Sequence, residues 1–392
     1  MRTKVLTLAH LVSKTDGSGA RAYAASMEHV RVGLIGTSWW ADAMYLPALA
    51  QHPRGSITAI AGRNQATTET MAARWGIDDV YTSAEQMIAE AEIDAVIVAS
   101  SNASHVPLAM AAIERGLHVL CEKPLGLDGD EAQRVAGAAE AAGIISMTPF
   151  TYRFMPLAVQ MRRYIDEGYV GRAYHMGARY FTGFAREGEY AWRFDRAESG
   201  SGVLGDLGTH WVDMAMYLLG PIAAVSATTS TMVPRAARPD GAPYQACDDV
   251  AMMTVRFASG ATGQLLVSAV AWEGTPFGQT HEFDLVGSEG TMHAYCDWDT
   301  VQQLRGVRSG QTGPAHDLER SPDIWHGLRT DMLHNTYRDV FRTTEAMTRG
   351  WVSAIADGIT VQPDIAHGAQ VQRVIDAALA SADSDGRMIT VV

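Results

Sequence analysis

The first 150 residues alternate short apolar runs with stretches that suit amphipathic or alanine-rich helices. Buried strands are predicted at 31–36, 56–61, 93–99, 117–121 and 144–147. Helices are predicted between them at 41–50, 66–75, 106–115 and 130–142. Strand–helix alternation of this kind predicts an α/β fold with a doubly wound parallel sheet.

After about residue 150 the pattern changes to consecutive extended runs. Strands are predicted at 222–232, 251–257, 262–271, 281–287 and 291–296, and helices at 156–168, 209–219, 331–357 and 366–381. Strands without intervening helices favour an antiparallel sheet. Residues 304–322 are rich in Gly, Ser, Pro and charge, which predicts a surface loop. We therefore expect two domains, 29–150 and 151–392, of which the second is α+β.

Residues 1–28 differ from the rest of the chain. Basic residues precede an apolar run at 5–12, and Ala22-Tyr23-Ala24 resembles a cleavage site, as in a signal peptide. However, His10 interrupts the run and polar residues follow at once. We interpret 1–28 as a mobile extension, with export as the alternative.

The composition is that of a globular protein, with 47% hydrophobic and 19% charged residues. The net charge of −13 argues against nucleic acid or an anionic membrane surface as a partner. No apolar run reaches the ~18 residues of a membrane-spanning helix. The three cysteines lack paired or metal-binding spacing, so we expect reduced thiols, no metal site and a cytoplasmic protein.

The segment 36–41, Gly-Thr-Ser-Trp-Trp-Ala, follows the first predicted strand and precedes a helix. This is where a dinucleotide-binding fingerprint belongs, because glycine permits the tight turn and the helix N-terminus attracts the pyrophosphate. Ser38 stands where a second glycine is usual, and its hydroxyl could bond phosphate instead. The segment predicts dinucleotide binding, with a simple turn as the alternative.

The second predicted strand ends in Ala61-Gly62-Arg63-Asn64. An NAD-preferring site usually has a carboxylate here for the ribose 2′-hydroxyl, but this chain has Gly62. Arg63 could bind a 2′-phosphate through two hydrogen bonds. This favours NADP over NAD as the cofactor. The alternative is that Arg63 is a solvated loop residue.

Two further segments could carry acid–base chemistry. Glu122-Lys123-Pro124 directly follows a predicted buried strand, and ligands bind at the carboxyl ends of strands in such folds. Asp206 and His210 are four residues apart in a glycine-rich segment, so they would share one helix face. The alternatives are a surface ion pair at 122–123, and a helix-capping Asp with a core His.

These segments together resemble the family of glucose–fructose oxidoreductase, inositol dehydrogenase and MocA (Gfo/Idh/MocA). The resemblance covers roughly 29–392 and rests on 36–41, 47–49, 102–105, 109–116, 118–124, 153–154, 192–193, 200–210 and 287–290. It implies a Rossmann domain followed by a domain built on an open, mainly antiparallel sheet, through which a homodimer or homotetramer would form. Ser38, Ser101 and Ser201 depart from residues that are common in the family.

The resemblance implies hydride transfer between nicotinamide C4 and a carbinol or carbonyl carbon of a small-molecule sugar, cyclitol or polyol. The family's catalytic set maps onto Lys123, Asp206 and His210. We expect His210 to take the hydroxyl proton, Lys123 to stabilise the alkoxide and Asp206 to orient the substrate or His210; the first two roles could be exchanged.

Further residues are assigned to binding by the same resemblance. Trp39 and Trp40 would shield the nicotinamide or only pack against the second domain. The expected cofactor-binding residues are Gly36, Thr37, Ser38, Trp39, Trp40, Arg63, Asn64, Ser100, Ser101, Asn102, His105, Glu122, Lys123, Trp192 and Arg193, and the candidate substrate residues are Tyr152, Arg153 and Tyr180.

Three other functions are also compatible with the sequence. They are a redox-assisted glycosidase that retains its nicotinamide cofactor, a noncatalytic NADP-binding sensor, and a dihydrodiol-type dehydrogenase. The presence of Lys123, Asp206 and His210 together favours an oxidoreductase over a sensor, which need not keep all three.

Overall fold

A computed structural model describes residues 27–274, 277–300 and 302–392 of the chain. Most of the predicted extension at 1–28 therefore lies outside the described residues. The described chain divides into two compact units, one containing 27–149 and Asp339–Ala369, and the other Phe150–Arg338 and Gln370–Val392.

The first unit contains a six-stranded parallel sheet, which confirms the predicted doubly wound fold. Its strands lie in the order β3-β2-β1-β4-β5-β6, so the direction of winding reverses between β1 and β4. The strands are β1 (Val30–Ile35), β2 (Gly55–Ala61), β3 (Asp79–Tyr81), β4 (Ala95–Val98), β5 (His118–Cys121) and β6 (Ser146–Met147). The helices are α1 (Leu46–Leu49), α2 (Gln65–Trp75), α3 (Ala84–Glu90), α4 (Asn102–Glu114) and α5 (Gly129–Ala142).

Local sequence explains most of these elements. All four residues of β4 and all four of β5 are buried, as expected for parallel strands covered on both faces. Helices α2 and α5 end at Gly76 and Gly143, which both adopt the left-handed conformation that glycine favours. Strand β3 and helix α3 were not predicted. Strand β3 has only three residues and is largely exposed, so it forms no apolar run.

The second unit contains a nine-stranded sheet in the order β14-β13-β12-β11-β7-β10-β9-β8-β15. Every pairing is antiparallel except β7–β10, which confirms the predicted mainly antiparallel sheet. Its first eight strands are β7 (Ala173–Thr182), β8 (Ile222–Ser230), β9 (Val250–Phe257), β10 (Thr262–Ser268), β11 (Gln279–Gly287), β12 (Gly290–Asp297), β13 (Gln302–Arg308) and β14 (His316–Asp317). Its helices are α6 (Pro156–Asp166), α7 (Arg196–Ser199), α8 (Thr209–Leu219) and α9 (Pro322–Trp325).

Four strands of this sheet were not predicted: β7, β13 and the two-residue strands at 316–317 and 389–390. The loop prediction for 304–322 is wrong over 304–308, which belong to β13, and at 316–317, which form β14. In β13, buried positions alternate with exposed polar ones, and Gly306 and two arginines conceal the pattern. Strand β7 is similarly interrupted by Gly177 and polar residues.

Four elements complete the chain near its carboxyl end: α10 (Leu333–Thr343), α11 (Thr348–Asp357), α12 (Ile365–Ala382) and β15 (Ile389–Thr390). Two π-helical turns, Ala41–Tyr45 and Leu204–Gly208, interrupt otherwise α-helical segments. Such turns occur frequently at functional sites. Among the described residues, no helix is both long and apolar enough to cross a membrane.

A polar cluster in the first unit links α11 to the turn before β2. Ser353 donates a hydrogen bond of 2.6 Å to Glu345, and the Nε2 atom of buried His52 lies 3.7 Å from the same carboxylate oxygen. The contact with His52 is the main reason that the pKa of Glu345 falls to about 2, and the hydrogen bond from Ser353 adds to it. The ionised carboxylate is therefore favoured in the folded state.

We predict that Glu345→Gln lowers Tm at pH 7 by about 1–2 °C, a small effect because Glu345 is 40% exposed. A carboxylate whose folded pKa is depressed stabilises the fold above its unfolded pKa of ~4.5, and this stabilisation is lost as the pH falls towards 2. Thermal unfolding should therefore show that the Tm difference falls to less than half by pH 3. An equal difference at pH 7 and pH 3 would contradict this account.

Candidate functional site

The turn after β1 has the geometry of a nucleotide-binding loop. Gly36 adopts φ +112°, and a Cβ there would lie 2.2 Å from the carbonyl oxygen of Ala99, so only glycine fits. The hydroxyl of Ser38 accepts a hydrogen bond of 3.3 Å from the N–H of Ala41 and so caps the following helix. Ser38 is nevertheless exposed. The helix N-terminus can therefore be approached by an anionic ligand.

The end of β2 lies against this turn. A Cβ on Gly62 would lie 2.4 Å from the hydroxyl oxygen of Thr68 and 2.7 Å from a methyl carbon of Thr37, so a carboxylate side chain would not fit there without rearrangement. The side chain of Asn64 accepts from the N–H of Thr67 and caps α2. Arg63 is exposed and makes no hydrogen bond or ion pair within the described part of the chain. Its guanidinium is therefore available to a ligand.

Glu122, at the end of β5, is a buried acceptor and not half of a surface ion pair. One of its oxygens accepts from the indole N–H of Trp40 at 2.7 Å and from the hydroxyl of Tyr45. The other accepts from the backbone N–H of Lys123 at 3.0 Å. Glu122 thus joins the helix after the glycine turn to the residue that carries the candidate ammonium group. The sequence analysis missed Tyr45, although a buried carboxylate requires donors.

Lys123 is half-buried, and its peptide bond to Pro124 is cis. His105 is fully buried, with Nδ1 2.8 Å from the carbonyl oxygen of Pro124 and Nε2 3.2 Å from that of Ser100. Burial lowers the pKa of His105, which favours the neutral ring. His105 therefore connects the loops after β4 and β5, a structural contribution to the site.

The remaining predicted cofactor residues of this unit lie at the start of α4 and in the glycine turn. The hydroxyl of Ser104 donates to that of Ser100 at 2.7 Å, and Ser101 precedes the first helical residue, Asn102, which is buried. Trp39 is 70% exposed, in contrast to Trp40. The structure thus brings the glycine turn, Ser100–Asn102 and Lys123 to the carboxyl edge of one parallel sheet.

In the second unit, the glycine-rich segment before α8 is held by Asp248. The two carboxylate oxygens accept from the N–H groups of Gly202 at 3.1 Å and Leu204 at 2.8 Å. A Cβ on Gly202 would lie 1.9 Å from the carbonyl oxygen of Asp248, so the approach requires glycine. Burial raises the pKa of Asp248. No motif indicated Asp248, which lies over 40 residues further along the chain.

Asp206 lies in the π-helical turn that this contact stabilises. The Nε atom of Arg193 is 3.4 Å from a carboxylate oxygen of Asp206, and the guanidinium lies 4.6 Å from the ring centroid of Trp192. The structure therefore brings the predicted cofactor-binding pair, Trp192 and Arg193, beside the predicted catalytic residue Asp206.

His210 lies in the first turn of α8 and is 8% exposed. Its ring packs edge-to-face with Tyr152, at 4.8 Å between centroids, and with Phe150, at 6.2 Å. The hydroxyl of Tyr152 is 2.8 Å from that of Tyr180. Burial raises the pKa of both tyrosines, so both are neutral at ordinary pH. The aromatic contacts fix the orientation of the His210 ring.

Two unpredicted residues extend this network. The side-chain amide of Gln279 donates to Tyr152 at 3.2 Å and lies 2.9 Å from Nε2 of His281. Burial lowers the pKa of His281 to about 3. Arg153, a candidate substrate residue, instead makes two hydrogen bonds to fully buried Asp213, so its charge is compensated within the unit.

A glycine turn of this geometry in a sheet of order 3-2-1-4-5-6 defines a dinucleotide-binding α/β protein with a second, mixed-sheet domain. The family comparisons extend this class assignment. Residues 30–150 match the oxidoreductase family with an NAD-binding Rossmann fold, and residues 158–293 match the Gfo/Idh/MocA C-terminal domain. The chain belongs to the Gfo/Idh/MocA family, as the sequence analysis predicted.

Individual relatives share most of the chain. Levoglucosan dehydrogenase of Pseudarthrobacter phenanthrenivorans is 31% identical, over 91% of this chain and 97% of the relative. The 1,5-anhydro-D-fructose reductase of Ensifer adhaerens is 31% identical, over 67% of this chain and 74% of the relative. A solved structure of levoglucosan dehydrogenase with NADH and levoglucosan superposes with a TM-score of 0.81 at 27% identity, covering 93% of this chain and 99% of the other.

We predict that Gly36→Ala destabilises the protein by at least about 2 kcal/mol, because the new methyl group would meet the Ala99 carbonyl in a backbone conformation that alanine avoids. Gly137→Ala is the control, since Gly137 lies within α5 with open space around its Cβ position. It should be neutral or stabilising. Urea unfolding measures both, and equal effects would show that the turn does not require glycine.

Proposed function

We propose that this protein is an NAD(P)-dependent oxidoreductase that transfers a hydride between nicotinamide C4 and a carbinol or carbonyl carbon of a sugar, cyclitol or related polyol. The observation that carries the proposal is the glycine turn at Gly36, whose close approach to Ala99 leaves a capped but accessible helix N-terminus for a pyrophosphate. The names of the relatives support a sugar-type substrate.

The nicotinamide cofactor, when bound, supplies the hydride acceptor or donor. The first unit offers it the turn at 36–40, Arg63 with Asn64, the segment Ser100–Asn102, and Glu122 with Lys123. The second unit offers Trp192, whereas Arg193 lies against Asp206. We assign His105 an indirect part, since both of its ring nitrogens face backbone carbonyl groups.

Oxidation of the substrate requires that a proton leave its hydroxyl as the hydride leaves carbon, so that a carbonyl forms. We assign the proton to His210, whose ring is held between two aromatic side chains. The Lys123 ammonium stabilises negative charge on the same oxygen. Asp206 orients the hydroxyl or the His210 ring.

The lysine content of the chain gives Lys123 particular significance. The chain has three lysines, at positions 4, 14 and 123, so Lys123 is the only one after residue 14. All other Lys or Arg residues after residue 14 are arginines. An arginine cannot release its proton in a protein, whereas a lysine can. The presence of a lysine here supports direct participation in proton transfer, so the roles of Lys123 and His210 could be exchanged.

We propose NADP as the preferred cofactor. Gly62 provides no carboxylate to repel a 2′-phosphate, and exposed Arg63 follows it. The substrate candidates are Tyr152, Tyr180 and Arg153, of which the first two form the hydrogen-bonded pair beside His210. Compensation of Arg153 by Asp213 favours an uncharged substrate.

We further propose a homodimer or homotetramer formed through the open face of the nine-stranded sheet. Exposed Met252 lies on that face, in the same row as the ion pair Arg179–Glu282 at 2.6 Å. The three cysteines are all buried and free, which supports a reducing compartment such as the cytoplasm.

We predict that Lys123→Ala and His210→Ala each lower kcat by ~10² or more for NADP-dependent oxidation of a polyol that the wild type accepts. Lys123→Arg keeps the positive charge but cannot transfer a proton. If Lys123 transfers the proton, the kcat of Lys123→Arg should therefore be close to that of Lys123→Ala. The control is His326→Ala, at an exposed position. Absorbance at 340 nm measures the rates. A fall in kcat of less than tenfold for Lys123→Ala or His210→Ala would exclude that residue from the mechanism. Glycoside cleavage without net cofactor reduction would favour the glycosidase alternative.

We predict that Arg63→Ser lowers the ratio of kcat/KM for NADP to that for NAD by about tenfold or more, because a charge-assisted phosphate contact is lost. Arg134→Ser is the matched control, since Arg134 is an exposed arginine on α5 with a weak ion pair at 4.0 Å. If the wild type binds NAD tenfold tighter than NADP, the assignment of Arg63 is wrong.

A further inference from the structure

We propose that Arg193 is a positioning residue that fixes the carboxylate of Asp206 for the reaction. This inference rests on the proposed function, in which Asp206 belongs to the catalytic set. It assigns Arg193 a role toward Asp206 in place of direct contact with the cofactor.

The contact itself is an ion pair between two partly exposed side chains. The Nε atom of Arg193 is 3.4 Å from Oδ2 of Asp206, and the side chains are 41% and 24% exposed. The Trp192 ring lies under the guanidinium at 4.6 Å, which limits the rotation of the arginine. With Oδ2 directed to Arg193, rotation of the carboxylate about its Cβ–Cγ bond is restricted.

A flexible surface ion pair would not position anything, but the backbone that carries Arg193 is anchored. Phe194, the next residue, is buried, and its carbonyl accepts from the N–H of Cys247 at 2.9 Å. The guanidinium of Arg235 covers the Phe194 ring at 4.3 Å. Arg235 in turn pairs at 2.7 Å with Asp249, and both side chains are almost fully buried.

Asp195 supplies a second anchor. It is 1% exposed, accepts from the N–H of Ala197 to cap α7, and accepts from Arg238 at 2.7 Å. Residues on the carboxyl side of Arg193 are therefore held by two arginines from one long connection, 231–249, which joins β8 to β9. Connections of this length without regular structure are often functional.

The same connection holds the backbone of Asp206. Residues 247–249 hold the segment that carries Arg193 and the segment that carries Asp206. Cys247 bonds to Phe194, and Asp248 bonds to the turn before Asp206. Asp249 bonds to Arg235, which covers the Phe194 ring. One short anchor thus sets the position of both partners of the ion pair. This arrangement is what a fixed carboxylate requires and a chance surface contact lacks.

The charge around Asp206 within the second unit is mixed. Arg193 faces it as a cation, and His210 follows four residues later on the same helical segment. Tyr152 and Tyr180 also lie within electrostatic reach, since the charge of Asp206 contributes to the raised pKa of each tyrosine. Of these groups, Arg193 is the permanent positive charge, and its removal is expected to favour protonation of Asp206.

A double-mutant cycle tests whether Arg193 acts through Asp206. We expect Arg193→Met to lower kcat about tenfold while the Kd of NADP changes less than twofold, and Arg193→Lys to restore part of the loss. Asp206→Asn should lower kcat, and the double variant should be no slower than Asp206→Asn alone. The proposal is wrong if the losses of kcat in the two single variants multiply in the double variant. It is also wrong if the Kd of NADP rises tenfold in Arg193→Met, which would indicate a direct cofactor contact.

Arg163→Met is the matched control, because Arg163 on α6 also forms a partly exposed ion pair, with Asp323 at 2.7 Å, and has no part in the proposed site or interface. It should leave kcat unchanged.

A second readout does not depend on turnover. In protein labelled with ¹³C at the aspartate carboxyl carbons, the Asp206 signal is identified by its loss in Asp206→Asn. We expect it to titrate at a higher pH in Arg193→Met than in the wild type and to be unchanged in Arg163→Met. An unchanged titration in Arg193→Met overturns this inference. A wild type that oxidises no polyol overturns only the proposed function.

Discussion

The approach of Gly36 to the carbonyl of Ala99 is the constraint on which the first unit depends. A single extra carbon at Gly36 would lie 2.2 Å from that oxygen. The approach joins the carboxyl ends of β1 and β4, the two strands between which the winding of the sheet reverses. A crevice for a ligand forms at such a reversal, and Lys123 lies at the end of the neighbouring strand β5. The class of the protein therefore follows from backbone geometry before any catalytic side chain is considered.

Two buried carboxylates hold the candidate site residues in position. Glu122 accepts from Trp40, Tyr45 and the backbone of Lys123, and Asp248 accepts from two backbone N–H groups before Asp206. A buried carboxylate is stable only when its oxygens are satisfied, so each one fixes several groups at once. Rigid elements with such supports are what hydride and proton transfer require, because both depend on precise distances.

Much of this arrangement could be predicted from local sequence. The glycine turn, Lys123 after a buried strand and helix 209–219 all follow from short-range patterns, and α8 begins and ends where expected. The supports could not be predicted in this way. Asp248 acts more than 40 residues from the segment it holds, and Tyr45 gave no signal beyond an apolar helix. Strand β13 was missed because its apolar positions are separated by arginines and a glycine.

The proposed function requires that a hydride pass directly between the substrate carbon and the nicotinamide. The most direct measurement uses a polyol substrate carrying deuterium on the carbon that is oxidised, with mass spectrometry of the recovered cofactor. Direct transfer should give one deuterium in each reduced nicotinamide for every carbonyl product formed. Product formation with no deuterium in the cofactor would contradict it.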